Sequence, residues 1–150
     1  MKKIYLTLSF VIASGLLSAQ NKETKVADKL FNRYEYVDAA KEYLKLTEKG
    51  KADNYVHKQL ADSYFNVFNS KEAVKWFAKA TEEKQDAETY YKYAQMLKAE
   101  GNYTESDKQM KKFADLAPND QRAKTFNANP DLPALTSQVK LFNIIKSDIS

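Results

Sequence analysis

Apolar residues between positions 22 and 118 recur every three or four residues, with polar and charged residues between them. This spacing places the apolar side chains on one face of a helix and predicts amphipathic helices. Short polar stretches interrupt the pattern, so we predict six helices and a shorter seventh. Their predicted ranges are 22–33, 36–48, 54–67, 70–83, 87–100 and 103–116, with the last helix ending near residue 126.

Residues at the interruptions support these bounds. Gly50 and Gly101 stand at the ends of two predicted helices, and glycine tolerates the left-handed backbone that commonly closes a helix. Ser70 is predicted to cap the fourth helix, and Asn119 with Asp120 the last one. Side chains of these types accept a hydrogen bond from an early backbone N–H of the helix.

The same residues return at a longer interval. The stretch ADKLFN at 27–32 returns as ADSYFN at 61–66, and a looser third copy contains Ala94. Small residues at Ala39 and Ala73 follow the same period, and they let paired helices approach closely. A large residue there would cost about 1–3 kcal/mol by overpacking. The large residues one turn later are predicted to fill the space between helices, and they are Tyr43, Phe77 and Met110.

The second copy resembles the tetratricopeptide repeat, a helix–turn–helix unit whose length matches the interval between the copies. The matching positions there are Leu60, Ala61, Tyr64, Ala73, Phe77 and Ala80. In the third copy the turn Gly101–Asn102–Tyr103 and the closing Pro118 also fit, whereas His57, Leu46 and Phe113 depart from the family pattern. The resemblance covers about 22–118 and implies an all-α fold, a right-handed α-solenoid of three helix hairpins plus a capping helix.

The resemblance also implies that the first helix of each hairpin, the A helix, lines a concave groove that binds a protein or peptide. Repeated asparagines can hold an extended peptide backbone through their amides, and neighbouring aromatic rings can take apolar side chains. Alternatively, Phe31 and Phe65 bury against a neighbouring repeat. The predicted partner-binding residues are Asp28, Phe31, Asn32, Tyr55, Lys58, Asp62, Phe65, Asn66, Tyr91, Gln95 and Lys98.

The pattern of residues 1–20 predicts a secretory signal peptide. Lys2 and Lys3 precede an apolar run to Leu17, and the small residues Ser18 and Ala19 follow it, which is the order of a cleavable signal. The run is shorter than the roughly 20 residues of a spanning helix, although an uncleaved anchor is the alternative interpretation. We predict cleavage after residue 19 or 20, export, and no membrane span afterwards.

The chain changes character after residue 128. Asn129 and Pro130 break the helical pattern, and the segment 139–150 is rich in Ile, Leu and Phe. We interpret 21–128 as the solenoid and 129–150 as a linker followed by the start of another domain, either a first strand or a segment that folds back. This order resembles the N-terminal part of Bacteroidetes OmpA-family outer-membrane proteins, which carry tetratricopeptide repeats, a β-propeller and an OmpA-like domain. Some of those proteins serve type IX secretion.

Composition argues against several functional classes. The chain has 24 basic and 20 acidic residues, and removing Lys2 and Lys3 leaves a net charge of +2 spread over the helices. We therefore predict no nucleic-acid partner. The sequence has no cysteine, one histidine (His57) and three glycines, which disfavours thiol chemistry, metal ligation and a phosphate-binding loop. We predict no enzyme activity, no cofactor and no metal.

Two functions of different classes remain. One is an adaptor in the periplasm, or on the periplasmic face of the outer membrane, whose groove binds a protein partner within an outer-membrane-associated complex. The other is a structural spacer of a larger cell-wall-anchored protein, with no ligand in the groove.

Overall fold

The structure, a computed structural model, describes residues 23–129. These residues form helices, and no strand occurs within that range. The helices are α1 (23–32), α2 (Tyr36–Glu48), α3 (Asn54–Asn66), α4 (Ser70–Ala80), α5 (Ala87–Ala99), α6 (Tyr103–Leu116) and α7 (Gln121–Ala128). The predicted all-α fold of stacked hairpins is confirmed. The predicted signal peptide and the segment after residue 129 lie outside the described residues.

Consecutive helices pack against each other along the chain. Helix α2 contacts α3, α3 pairs with α4, α4 contacts α5, α5 pairs with α6, and α6 contacts α7. The A helices α3 and α5 also touch each other. This sequential packing is the arrangement of a solenoid, in which each hairpin contacts its neighbours.

The N-terminal caps of the A helices show why each one begins where it does. Asp53, Asp86 and Asp120 precede α3, α5 and α7, and each accepts a hydrogen bond from a backbone N–H two or three residues later, at 2.8–2.9 Å. Such a cap satisfies one of the backbone donors left free at a helix start. The three aspartates follow the period of the repeat, so the repeat continues into α7. The cap predicted at Asp120 is confirmed.

The second helices of the hairpins, the B helices, use asparagine instead. Asn69 and Asn102 cap α4 and α6 through their side-chain oxygens, which accept from backbone N–H groups at 3.3 and 3.4 Å. The prediction that Ser70 caps α4 is wrong by one residue. The Ser70 hydroxyl instead donates to the carboxylate of Glu100 in the next repeat.

Helix α4 ends at Ala80 rather than at residue 83. The carbonyl oxygen of Ala80 accepts hydrogen bonds from the side-chain amides of Asn54 and Gln85, both at 2.8 Å. The hydroxyl of Thr81 also turns back to the carbonyl of Phe77 at 2.9 Å. Because side chains satisfy the last carbonyls, the helix needs no further turn.

The small repeated residues lie where helices cross. All six are buried, and they are Ala27, Ala39, Ala61, Ala73, Ala94 and Ser106. The Ser106 hydroxyl donates to the carbonyl of Ala94 at 2.8 Å, which joins the two helices of the third hairpin. Tyr43 and Phe77 are fully buried, as predicted, whereas Met110 at the equivalent position is only half-buried.

The turns include four residues with a left-handed backbone. Gly50 and Gly101 have φ values of 66° and 75°, which confirms their predicted role at helix ends. Tyr34 and Phe68 have φ values of 64° and 55°. Tyr34, Phe68 and Gly101 occupy the same turn in the first, second and third hairpins.

Candidate functional site

Asp28, one of the predicted groove residues of the first repeat, lies in a hydrogen-bond cluster. The carboxylate of Asp28 accepts from the hydroxyls of Tyr43 and Tyr55, at 2.5 and 2.8 Å. Gln59 donates to both of these phenols at 3.2 Å. Burial, reinforced by the hydrogen bond to Asp28, raises the pKa of Tyr55 to about 12 and raises the pKa of Tyr43 further. Both phenols therefore remain neutral donors, and the cluster ties α1 and α2 to α3.

The equivalent aspartate of the second repeat is paired across a repeat boundary. Asp62 is buried, and its carboxylate accepts from Lys92 Nζ of α5 at 2.8 Å. The same ammonium lies 5.4 Å from the ring centroid of Phe65. Lys58 makes a second link between these repeats, because its ammonium donates to Asp86 at 2.9 Å.

Two opposing effects, burial and hydrogen bonding, determine the pKa of Asp86. Burial pushes the pKa of the carboxyl upward, but the hydrogen bonds from Lys58 and from the backbone N–H and hydroxyl of Thr89 outweigh it. The result is a pKa of about 2. Asp86 therefore stays charged. It caps α5 and also holds Lys58 of α3.

The aromatic and amide positions differ in their exposure. Phe31 and Phe65 are half-buried, and their rings meet Tyr36 and Phe77 edge-on at centroid distances of 5.2 and 6.4 Å. Asn32 is exposed. Both phenylalanines pack against the hydrophobic core, so these two positions take part in scaffold packing, whereas their binding of a partner stays a prediction.

Asn66 is exposed, but its side-chain amide is engaged locally. It donates to the backbone carbonyl of Asp62 one turn earlier, at 2.7 Å. Of the two repeated asparagines, Asn32 is therefore the better placed to meet a partner.

The three predicted positions of the third repeat come together at a cavity of about 370 Å³ between α5, α6 and α7. Tyr91, Gln95 and Lys98 line it from α5, Met110 lines it from α6, and Phe126 from α7. In the first two repeats, the position of Met110 holds Tyr43 and Phe77, which are fully buried. The unbranched methionine fills less of the width between the helices, and the cavity lies beside it.

Arg122 forms the wall of this cavity between α5 and α7. Its guanidinium donates to Glu88 at 2.8 Å and to Asp120 at 2.9 Å. The same group lies 4.1 Å from the ring centroid of Tyr91 and 4.9 Å from that of Phe113. The hydrogen bonds to Asp120 and Glu88 raise the pKa of Arg122 further above its ordinary value, so the guanidinium stays charged and its charge is balanced by these two carboxylates.

Charged groups of both signs line the cavity. Burial raises the pKa of the Asp107 carboxyl, and the positive charge of Lys98 partly opposes the shift. Lys98 itself is exposed at the rim. A ligand would meet an apolar floor together with a cation, an acid and the amide of Gln95.

The sequence interpretation left out Arg122 and Phe126 as site residues. A signal for this part of the site was present, since Asp120 follows the cap Asp86 by one repeat length and Arg122 follows Glu88 by the same interval. Extending the period into α7 identifies that helix as the A helix of a fourth repeat, of which the described residues contain only this first half. Its first turns then line the groove as α5 does.

His57 packs against an aromatic ring. Its imidazole stacks on Trp76 with a centroid distance of 5.8 Å and an interplanar angle of 29°. Burial, with a smaller contribution from the nearby Lys79 cation, lowers the pKa of His57. Within residues 23–129, no group of three His, Asp or Glu side chains converges as a metal site would require.

Two comparisons support the repeat architecture. Residues 87–120 match the sequence profile of the tetratricopeptide repeat family, and they include α5 and α6. The crystal structure of the C-terminal part of a TPR repeat-containing protein from Cytophaga hutchinsonii is similar, with a TM-score of 0.58 and 21% identity. The match covers 63% of this chain and 38% of that one, and it shows the fold alone. No curated protein matches the sequence significantly.

Proposed function

We propose that this chain is a protein-interaction module that binds an extended segment of a partner protein along its A helices. The cavity between α5, α6 and α7 would anchor that segment. The observation that carries the proposal is the convergence of Tyr91, Gln95 and Lys98 on one cavity. The tetratricopeptide match over residues 87–120 supports a role in protein–protein interaction.

The chemistry of the cavity suits a peptide. Its volume of about 370 Å³ falls in the range of pockets that bury a ligand and accommodates one or two large apolar side chains. Met110, Tyr91 and Phe126 supply the apolar contacts, while the Gln95 amide can bond to a peptide backbone. The rim cation at Lys98 favours a segment that carries a carboxylate beside its apolar anchor.

We further propose that the module acts outside the cytoplasm, as an adaptor within an outer-membrane-associated complex. The support is the sequence itself, in which a basic start, an apolar run and small residues occupy positions 1–20. The order of segments after the repeats, with its resemblance to OmpA-family proteins, supports the same setting. Processing of the N-terminus tests this proposal separately.

A spacer without a groove ligand is the second candidate, and specific contacts favour it. Asp28, Asp62 and Lys58, which were expected to meet a ligand, are occupied by Tyr55, Lys92 and Asp86 of the following repeat or its cap. Such links stiffen a solenoid, and stiffness is what a spacer requires.

The substitution Met110→Phe tests the anchor cavity. It restores the large aromatic type present at positions 43 and 77, so the fold should tolerate it while the cavity is filled. The control is Lys124→Phe, an exposed position of α7 outside the cavity lining. Each variant is panned in purified form against a displayed library of short random peptides, and the selected peptides are titrated against the wild type.

The expected result is that wild type and Lys124→Phe select and bind the same peptides, whereas Met110→Phe loses at least about tenfold in affinity, as one displaced apolar anchor predicts. Equal binding by all three chains would place the ligand elsewhere. Failure of the wild type to select any peptide favours the spacer.

A further inference from the structure

Two aromatic side chains stand almost fully exposed at successive turns on one edge of the solenoid. Tyr34 is 79% exposed and Phe68 is 84% exposed. Val37 and Val67 beside them are also exposed, at 56% and 40%. We call these four residues the turn ridge. The ridge lies where the A helices of the first two hairpins end and their B helices begin, and none of its four residues lines the anchor cavity.

The backbone at the ridge does not favour these residues. Tyr34 and Phe68 have positive φ values, which side chains with a Cβ rarely adopt and glycine adopts freely. The third hairpin makes the same turn with Gly101. The first two hairpins therefore hold bulky aromatic rings largely in water at positions where glycine would relieve strain. The Tyr34 ring meets Tyr36 edge-on at a centroid distance of 6.1 Å, but this contact leaves most of the ring exposed.

The charges around the ridge largely cancel. Arg33 pairs with Glu35 at 2.8 Å, and the first-turn acids Asp38 and Glu72 pair with the lysines three residues later, at 2.7 and 3.3 Å. A surface of this kind has little attraction for an anionic partner. Its contacts with any partner would be mainly apolar.

The size and shape of the ridge indicate the kind of partner. An aromatic side chain carries roughly 150–250 Å² of surface, so the two exposed rings offer on the order of 300 Å². A stable protein interface needs roughly 800 Å² on each side. A smaller apolar surface can instead be buried in a bilayer surface, where the apolar groups of peripheral helices reach a depth of roughly 5–10 Å.

We propose that the turn ridge is a peripheral contact surface for a neutral lipid bilayer. Tyr34 and Phe68 enter the headgroup region, where aromatic side chains are favoured, and the paired charges around them remain at the surface. Within residues 23–129, no helix is long and apolar enough to cross a membrane. This surface is separate from the peptide groove of the proposed function.

The full chain has no cysteine, so one introduced thiol gives a single labelling site. We would label Val67→Cys on the ridge with the fluorophore NBD and add phosphatidylcholine vesicles. The matched control is Leu116→Cys, another exposed apolar residue, which ends α6 at the opposite edge of the hairpins. A label on the ridge remains informative even if residues 1–20 or 139–150 bind vesicles themselves.

The expected result is a blue shift of the ridge label that 0.5 M NaCl does not reverse, with no shift at position 116. Adding Tyr34→Gly and Phe68→Gly should weaken this ridge-dependent partitioning by about tenfold or more, since two apolar groups no longer leave water. The melting temperature of that variant should be unchanged or higher, which separates lost contact from lost fold.

Several results would overturn the proposal. These are equal shifts at both labels, no shift at either, or a response seen only with anionic vesicles and abolished by salt. Concentration-dependent self-association that the double glycine variant removes, without vesicle binding, would make the ridge a protein contact instead.

Discussion

Asp62 of α3 and Lys92 of α5 form an ion pair across the boundary between the second and third repeats, with Nζ 2.8 Å from Oδ1. The side chain of Asp62 is only 8% exposed, and that of Lys92 is 24% exposed. The ion pair therefore holds two stacked hairpins together at a place with little access to water.

We predict that Lys92→Met lowers the free energy of unfolding by about 2–3 kcal/mol, because it leaves a buried carboxylate without its partner. The control Lys41→Met breaks an exposed pair with Asp38 and should change stability by less than about 0.5 kcal/mol. Urea denaturation followed by circular dichroism measures both. Equal effects of the two substitutions would show that the inter-repeat pair contributes no more than a surface pair.

The pKa of Asp86 predicts a loss of stability in acid. Burial raises this pKa, but the hydrogen bonds from Lys58 and Thr89 lower it more, to about 2. A depressed carboxyl pKa stabilises the fold above the unfolded value of about 3.9, and that contribution disappears as the pH falls toward 2. After allowance for the partial exposure of Asp86, we expect about 1 kcal/mol.

The variant Asp86→Asn isolates this contribution, because asparagine can still cap α5 but carries no charge. Urea unfolding of wild type and variant at pH 5 and pH 2.5 should show a smaller loss in the variant. An identical loss in both proteins would assign the acid sensitivity to other carboxylates.

The close helix crossing at Ala61 predicts a large effect of side-chain size. Ala61 is fully buried, so Ala61→Phe should cost about 3 kcal/mol, the upper end of the usual overpacking range, by forcing α3 away from its neighbours. Ala78 on α4 is exposed, and Ala78→Phe should change stability by less than about 0.5 kcal/mol. Thermal melting monitored by far-ultraviolet circular dichroism compares them, and an unchanged melt for Ala61→Phe would contradict the close crossing.

Two substitutions at left-handed turns should act in opposite directions. A Cβ at Gly50 would meet no atom within 4 Å, so Gly50→Ala should cost about 1 kcal/mol through the backbone alone. Tyr34 has φ 64° and an exposed ring, and Tyr34→Gly should leave stability unchanged or raise it by up to about 1 kcal/mol. Chemical denaturation of the single variants tests the pair. Destabilisation by Tyr34→Gly would mean that its ring contributes to packing.

The proposed export predicts a processed N-terminus. The exported chain should begin at Gln20 or Asn21, since cleavage is expected after residue 19 or 20. Intact-mass measurement of the chain from the extracytoplasmic fraction gives the answer directly. Retention of residues 1–20 in that fraction would instead support an uncleaved anchor.

The helices could be predicted closely because their signals are local. Apolar spacing, caps and glycines lie within each helix or next to it. For five of the six longer helices, both predicted ends agree with the structure to within one or two residues. The exception is the end of α4, which Asn54 and Gln85 determine from other parts of the chain. The cap of α4 was misplaced because Asn69 and Ser70 are both suitable residues, and backbone geometry decides between them.

The groove was less predictable. The period identifies equivalent positions, such as Asp28, Asp62 and Gln95, but not how near the next A helix comes. That distance decides whether an aspartate faces a ligand or a neighbouring helix. Here Tyr55 donates a hydrogen bond to Asp28, and Lys92 donates one to Asp62. The cavity depends on the size of Met110 and on the position of α7. A sequence pattern does not show how much space remains between packed helices.

The stacking of hairpins in chain order has a consequence for biogenesis. The inter-helix hydrogen bonds described above reach no further along the chain than the next repeat, as between Glu88 and Arg122. A polypeptide that emerges N-terminus first can therefore complete each hairpin against the one already formed, without waiting for distant segments. Low contact order of this kind favours rapid folding, so we expect each hairpin to form soon after its own residues become available.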